Sequence, residues 1–129
     1  MGSHAPRASA ASSAVRDGVC VITVTGEVDV ASADSVTALV AECAGPTVVD
    51  LRACGFFGAE GLRVLLEGRR LGVERGARFV VLVAGTGPIA RLLNVIDGKA
   101  IFNVCVDDLG AAIKLAAQID RRQGVDRRA

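Results

Sequence analysis

Tryptophan and tyrosine are absent from this chain, and four phenylalanines are its only large aromatic side chains. Without Trp and Tyr it lacks the usual stacking platforms for single-stranded nucleic acid. A formal net charge of +1, from 15 basic and 14 acidic residues, leaves no electrostatic footprint for a duplex either. Histidine occurs once, as His4 close to the N-terminus. No serine or cysteine therefore has an evident imidazole to activate it, which argues against the common nucleophile–base arrangements. The four cysteines, Cys20, Cys43, Cys54 and Cys105, form no C-x-x-C pair, so no metal site is expected. Long apolar runs are missing as well. The longest spans residues 79–84, far short of the roughly 20 residues that cross a bilayer. No charged segment followed by a long apolar stretch opens the chain, which reads as a cytoplasmic protein without a secretion signal. In that compartment the cysteines are expected as reduced thiols, mostly acting as small core hydrophobes. Cys54 is the candidate redox-responsive thiol, because it lies beside a helix start.

What is present is a core. Apolar residues make up 51% of 129 residues, enough for one domain with a substantial interior. The most informative stretch is residues 47–76, TVVDLRACGFFGAEGLRVLLEGRRLGVERG. Its opening TVVDL is a short β-branched run that suits a buried strand. The glycines of CGFFGAEGL interrupt both the strand and the helix period, which predicts an exposed apolar loop. Leu62, Leu65, Leu66 and Val73 then recur at helical spacing, with Arg63, Glu67, Arg70 and Glu74 opposite them. Arg70 and Glu74 are four apart and can pair, and Gly76 stops the helix as a C′ glycine does. The unit is strand, loop, helix, with the loop where open α/β sheets place their function.

Taken in order, residues 1–13 read as a flexible leader. Asp17-Gly18 is a hairpin signal between a short edge strand and a longer central one. Ser32 is the predicted N-cap of a helix whose apolar stripe is Val36, Leu39, Val40 and Cys43, and Gly45-Pro46 ends it. Residues 78–83 form another strand. Gly85-Thr86-Gly87 and then Pro88 suit a turn into a helix with Ile89, Leu92, Leu93 and Ile96 inward and Gly98 as its stop. Residues 101–106 read as the last strand. Asp107 is the predicted cap of a final helix, with Leu109, Ala112, Ile113 and Ala116 inward. Residues 121–129 are a polar tail. The predicted architecture is one α/β domain over residues 14–120: a mostly parallel, mixed sheet of about five strands with an N-terminal antiparallel hairpin and about four helices.

Chemistry-bearing groups are few. Glu27, Asp29 and Asp50 lie near strand ends, where local caps and turn contacts are commoner than an acid/base pair, so no enzyme is predicted. Residues 85–88 offer free N–H groups to an anion, yet lack the lysine of a phosphate-binding loop. The turn reading is the stronger one. Phe56-Phe57 puts two aromatics in the loop after the strand. One of them is expected in the core and the other is a candidate interface anchor.

Gly26-Glu27-Val28-Asp29, followed by Val30-Ala31-Ser32-Ala33, resembles the G-E-[L/I/V]-D signature of STAS domains. A strand ending in Asp50-Leu51, then Phe56-Phe57-x-x-x-Gly61-Leu62, and Arg91-Leu92-Leu93-x-x-x-x-Gly98 add to it. The chain resembles bacterial anti-sigma factor antagonists of that family over roughly residues 15–119, a span suited to one domain. The resemblance implies a protein that binds an anti-sigma factor, often one of the serine-kinase type, and so frees a sigma factor. It implies no cofactor, no direct nucleic-acid contact and no membrane insertion. The partner surface it implies comprises Glu27, Asp29, Val30 and Ser32 together with Phe57, Gly58, Ala59, Glu60, Gly61, Leu62 and Arg63. Many members are switched off by phosphorylation of a serine in D-S-[S/T]-G-L. The matching stretch here is Gly58-Ala59-Glu60-Gly61-Leu62, with Ala59 at the phosphoserine position, so that switch is not expected. Two alternatives go with the same resemblance: a STAS subunit of a lipid-transport ABC assembly in a membrane, or a small-ligand or nucleotide sensor using residues 85–88.

Overall fold

Asp17 and Gly18 both take positive φ, 53° and 77°, as a two-residue type I′ hairpin turn requires. They join β1 (Ala10–Arg16) to β2 (Val19–Glu27) as an antiparallel pair in the computed structural model, which describes residues 10–118 and, for Phe56, the backbone alone. The edge strand thus starts four residues inside the stretch read as leader. Residues 1–9 and the polar tail of residues 121–129 lie outside the described residues.

The chain continues through α1 (Val30–Glu42), β3 (Thr47–Asp50), β4 (Cys54–Phe56), α2 (Gly58–Arg75), β5 (Phe79–Val83), α3 (Pro88–Val95), α4 (Gly98–Ile101), β6 (Asn103–Val106) and α5 (Leu109–Ala117). The sheet runs β1-β2-β3-β5-β6, and every pairing from β2 onward is parallel. β4 pairs in parallel with the last residues of β2, beyond the reach of β3. It therefore acts as a continuation of β3 after the break at residues 51–53.

The central strands are covered on both faces. All five residues of β5 are buried, the continuous apolar run of a parallel strand between two helix layers. Alternate side chains serve different layers: Val49 and Val81 join the cluster under α1, α2 and α3, whereas Val48, Val80 and Leu82 meet Ala112, Ile113 and Ala116 of α5.

Several boundaries differ from the predicted ones, each for a local reason. Gly98 does not close a helix. It opens α4, after Asp97 turns the chain at φ 54°, and it packs so closely on Leu93 that a Cβ there would come within 2.8 Å of Cδ2. The final cap is Asp108, whose carboxylate accepts from the Ala111 amide at 2.9 Å. Asp107, at φ 62°, accepts instead from the Gly85 amide at 2.9 Å. The buried stripe of α2 is Gly61, Val64, Leu65 and Gly68, while Leu66 and Val73, predicted inward, are 46% and 64% exposed. Phe57 and Phe79 explain this rotation, because their rings fill the hollows left by Gly61 and Gly68. The cap of α2 is as predicted, with Gly76 left-handed at φ 65°, and Arg70 pairs with both Glu67 and Glu74.

Two of the four cysteines, expected as reduced thiols, depart from expectation. Cys20 and Cys43 form a disulfide with Cα atoms 6.2 Å apart, fastening the end of α1 to the start of β2. Cys54, the predicted redox thiol, is buried at 5% exposure within β4. Burial pushes the Cys105 thiol up, with Asp108 adding to the effect, so it is the less reactive thiol form that dominates there.

Candidate functional site

Parallel strands deliver their carboxyl ends to one edge, and at that edge the starts of α1 and α2 lie side by side. Gly26, at φ 81°, bends β2 and donates its amide to the Ala53 carbonyl at 3.3 Å. Glu27 then pairs with Phe56 of β4. Two residues on, Asp29 caps α1. Its carboxylate accepts from the Ser32 amide at 2.9 Å, and the Ser32 hydroxyl oxygen accepts from the Asp29 amide at 2.8 Å. This is a reciprocal capping box. Ser32 is therefore the third helical residue and not the predicted N-cap, because Asp29 offers the same chemistry one turn earlier. The Ser32 amide, then its hydroxyl, hold the Asp29 carboxyl below its ordinary value. Val30, in the first turn, is 65% exposed.

α2 begins without a side-chain cap. Its N-cap is Phe57, and that ring is buried at 4% exposure. Phe57, counted with the expected partner surface, is thus the member of the Phe56–Phe57 pair whose ring lies in the core. Gly61, also predicted on the contact surface, is buried beneath it. Gly58 takes φ 56°, a conformation glycine adopts without steric cost. The surface of this helix start consists of exposed Ala59 and Arg63 with half-buried Glu60 and Leu62.

Arg63 unites the two segments. Its guanidinium lies 2.8 Å from Glu60 Oε1 and 3.4 Å from Asp34 Oδ1 on α1. The Glu60 hydrogen bond, then the one to Asp34, raise the Arg63 pKa further. Nothing in the sequence points to Asp34 as part of this surface. It lies 29 residues before Arg63, and no local period announces such a contact.

Beside the rim an open cleft of about 430 Å³ is lined by Gly26, Glu27, Arg52, Ala53, Cys54, Gly55 and Pro88. Arg52 grips buried Asp50 through two nitrogens, each at 3.0 Å, and also donates to the Asp107 carbonyl at 3.4 Å. That bidentate bond is the main reason the Arg52 pKa is raised. Asp29, engaged as a cap, and Asp50, in an ion pair, act as local structural groups. The anion reading of residues 85–88 is weakened too: the Gly85 amide is given to the Asp107 carboxylate, whose charge repels an incoming anion. Among the described residues no group of three or more His, Cys, Asp or Glu side chains is placed to hold a metal. No helix among them is long and apolar enough to cross a membrane.

The comparisons with known proteins fit this geometry. Among solved structures, the chain is similar to the crystal structure of an anti-sigma factor antagonist from Mycobacterium paratuberculosis, with a TM-score of 0.73 and 28% identity over 88% of this chain and 98% of that one. No curated protein matches it. The family model described as Mlab, STAS domain matches residues 12–101, a span that takes in the hairpin, the Gly26–Asp29 turn, both helix starts of the rim and the break between β3 and β4. With that match over more than half of its length, the chain belongs to the STAS domain family.

Proposed function

We propose that this STAS domain is an anti-sigma factor antagonist that binds an anti-sigma factor through the rim of α1 and α2 and thereby releases the sigma factor. The contact surface in this reading is Glu27, Asp29, Val30 and Ser32 with Gly58, Ala59, Glu60, Leu62 and Arg63, to which Asp34 is added. The observation that carries it is the Arg63 bridge, which turns two separate helix starts into one surface. Similarity to a solved antagonist over nearly all of that chain supports the same role. The domain works in the cytoplasm by binding alone, without catalysis, cofactor, nucleic acid or membrane insertion. Ala59 and Glu60 carry no hydroxyl, so a partner of the serine-kinase type has no acceptor at the family's position. A second reading, a STAS subunit of a lipid-transport ABC assembly, keeps the rim and changes the partner; membership of the STAS family supports both.

The test begins with capture of the partner by the tagged chain from its native cytoplasm, identified by mass spectrometry. Calorimetric titration of that purified partner then compares wild type with Val30→Asp and Ala59→Arg. Both variants should bind at least tenfold more weakly, while Val95→Asp, changed at a residue 82% exposed on α3, binds as wild type. Undiminished affinity in both folded rim variants would show the rim assignment to be wrong. Recovery of a transport ATPase or permease in place of an anti-sigma factor favours the second reading.

A further inference from the structure

At the far end of α2, away from the rim, a pocket of about 140 Å³ opens between that helix, the start of β5 and the α4–β6 turn. Arg69, Val73, Arg78, Phe79, Phe102 and Asn103 are among its lining residues. Its floor is apolar, since Phe79 and Phe102 are buried, and two guanidiniums stand over that floor. Arg69 is anchored by its Nε–H, which donates to the Ile101 carbonyl at 3.0 Å, leaving its terminal nitrogens available. Arg78 has a fixed backbone, because its carbonyl accepts from the Thr47 amide at 3.0 Å. Its Nε is fully buried and has no hydrogen-bond partner. Among the described residues no carboxylate forms a salt bridge with either arginine. The nearby Arg75, by contrast, is committed to the carbonyls at the end of α1. Two guanidiniums without a carboxylate partner, with several donors each, match an oxyanion.

We propose that this pocket binds a small oxyanion, whose oxygens accept from the terminal nitrogens of Arg69 and Arg78. Phosphate and carboxylate share that chemistry, and the apolar floor admits a small hydrophobic body behind a carboxylate. Amide nitrogen–proton spectra of the full chain, titrated separately with inorganic phosphate, acetate and benzoate against sodium chloride at equal ionic strength, test it. At least one oxyanion should give saturable shifts confined to Gly72, residues 77–79, Asn103 and the Arg78 Nε–H, and chloride should not. Saturation by phosphate alone assigns a phosphate site, and by benzoate in preference to acetate a site for carboxylates with an apolar body. Arg69→Gln and Arg78→Gln should each weaken binding at least tenfold. Arg78→Lys, which keeps the charge and loses the planar two-nitrogen fork, should weaken it as well. No localised shift in the wild-type chain overturns the proposal, as do equal shifts with chloride or full affinity in both glutamine variants. The wild-type titration decides by itself if a variant fails to fold.

Discussion

Gly61 supports the rim by having no side chain. A Cβ at that position would lie 2.3 Å from Phe57 Cδ2 and 2.4 Å from its Cγ, and the buried ring can yield only by exposing itself or displacing its neighbours. Gly61→Ala is therefore expected to lower stability by about 1–3 kcal/mol, the usual range for overpacking, read as a lower urea midpoint with an unchanged slope. The penalty for glycine in a helix is a local quantity of roughly 1 kcal/mol, whereas the ring that needs the hollow comes from tertiary packing. For that reason glycines that look like interruptions in the sequence are helical here, and nothing in the sequence tells that Phe57 is the core member of its pair. Asp29 adds a prediction about pH. Its folded-state pKa is depressed below 3.8 by Ser32, so folding favours the charged carboxylate. Its contribution is complete above the ordinary carboxylate range and is lost as pH falls through the folded value below 3.8. A carbon-detected NMR titration should place the Asp29 midpoint under 3.8, and Ser32→Ala should move it part of the way back; a wild-type midpoint at or above 3.8 contradicts the cap.

On the scale of elements, α1 is held at both ends. The capping box fixes its start. At its end, Arg75 of α2 donates to the carbonyls of Val40 at 3.0 Å and Ala41 at 2.6 Å, and to that of Cys43, placing a cation where the helix dipole is negative. Arg75→Met removes these bonds and keeps much of the stem, and should cost about 1–3 kcal/mol in denaturant unfolding, given the strength of charged hydrogen bonds. The Cys20–Cys43 disulfide secures the same end across a sequence separation of 23 residues. Chain-entropy reasoning gives about 3 kcal/mol for a loop of that size, so a dithiol reductant should lower the unfolding midpoint of wild type but not of Cys20→Ser/Cys43→Ser. An unchanged wild-type midpoint would mean that the bridge contributes nothing to stability. Long elements were legible because α1, α2 and β5 each sustain a period or an apolar run. β4 and α4 have three and four residues, too few to display one. No spacing of cysteines reveals that Cys20 and Cys43 come within bridging distance when the chain folds.

For the whole molecule, the order of strands and helices already implied a parallel sheet, and parallel strands put their carboxyl ends on one edge. The neighbourhood of the two helix starts followed from that topology; the Arg63–Asp34 link did not, since it depends on where two side chains meet. That link bears on regulation. A phosphate on the family's serine brings nearly two negative charges to a contact surface. Here Ala59 is exposed at that position without a hydroxyl, and the negative charge beside it, Glu60, is engaged by Arg63 at 2.8 Å. The rim therefore presents a neutralised pair, unlike the unbalanced charge of a phosphorylated antagonist. Incubation with an anti-sigma factor of the serine-kinase type and ATP should leave residues 58–62 unmodified by mass spectrometry and partner affinity unchanged. Glu60→Gln separates the remaining alternatives, because it removes the charge, keeps the shape and leaves Asp34 to hold Arg63. Partner affinity is expected to change less than tenfold, equivalent to about 1.4 kcal/mol. A gain of tenfold or more would identify Glu60 as a built-in mimic of the phosphorylated state. A loss of that size would place the Glu60–Arg63 pair within the contact itself, with its geometry needed for recognition.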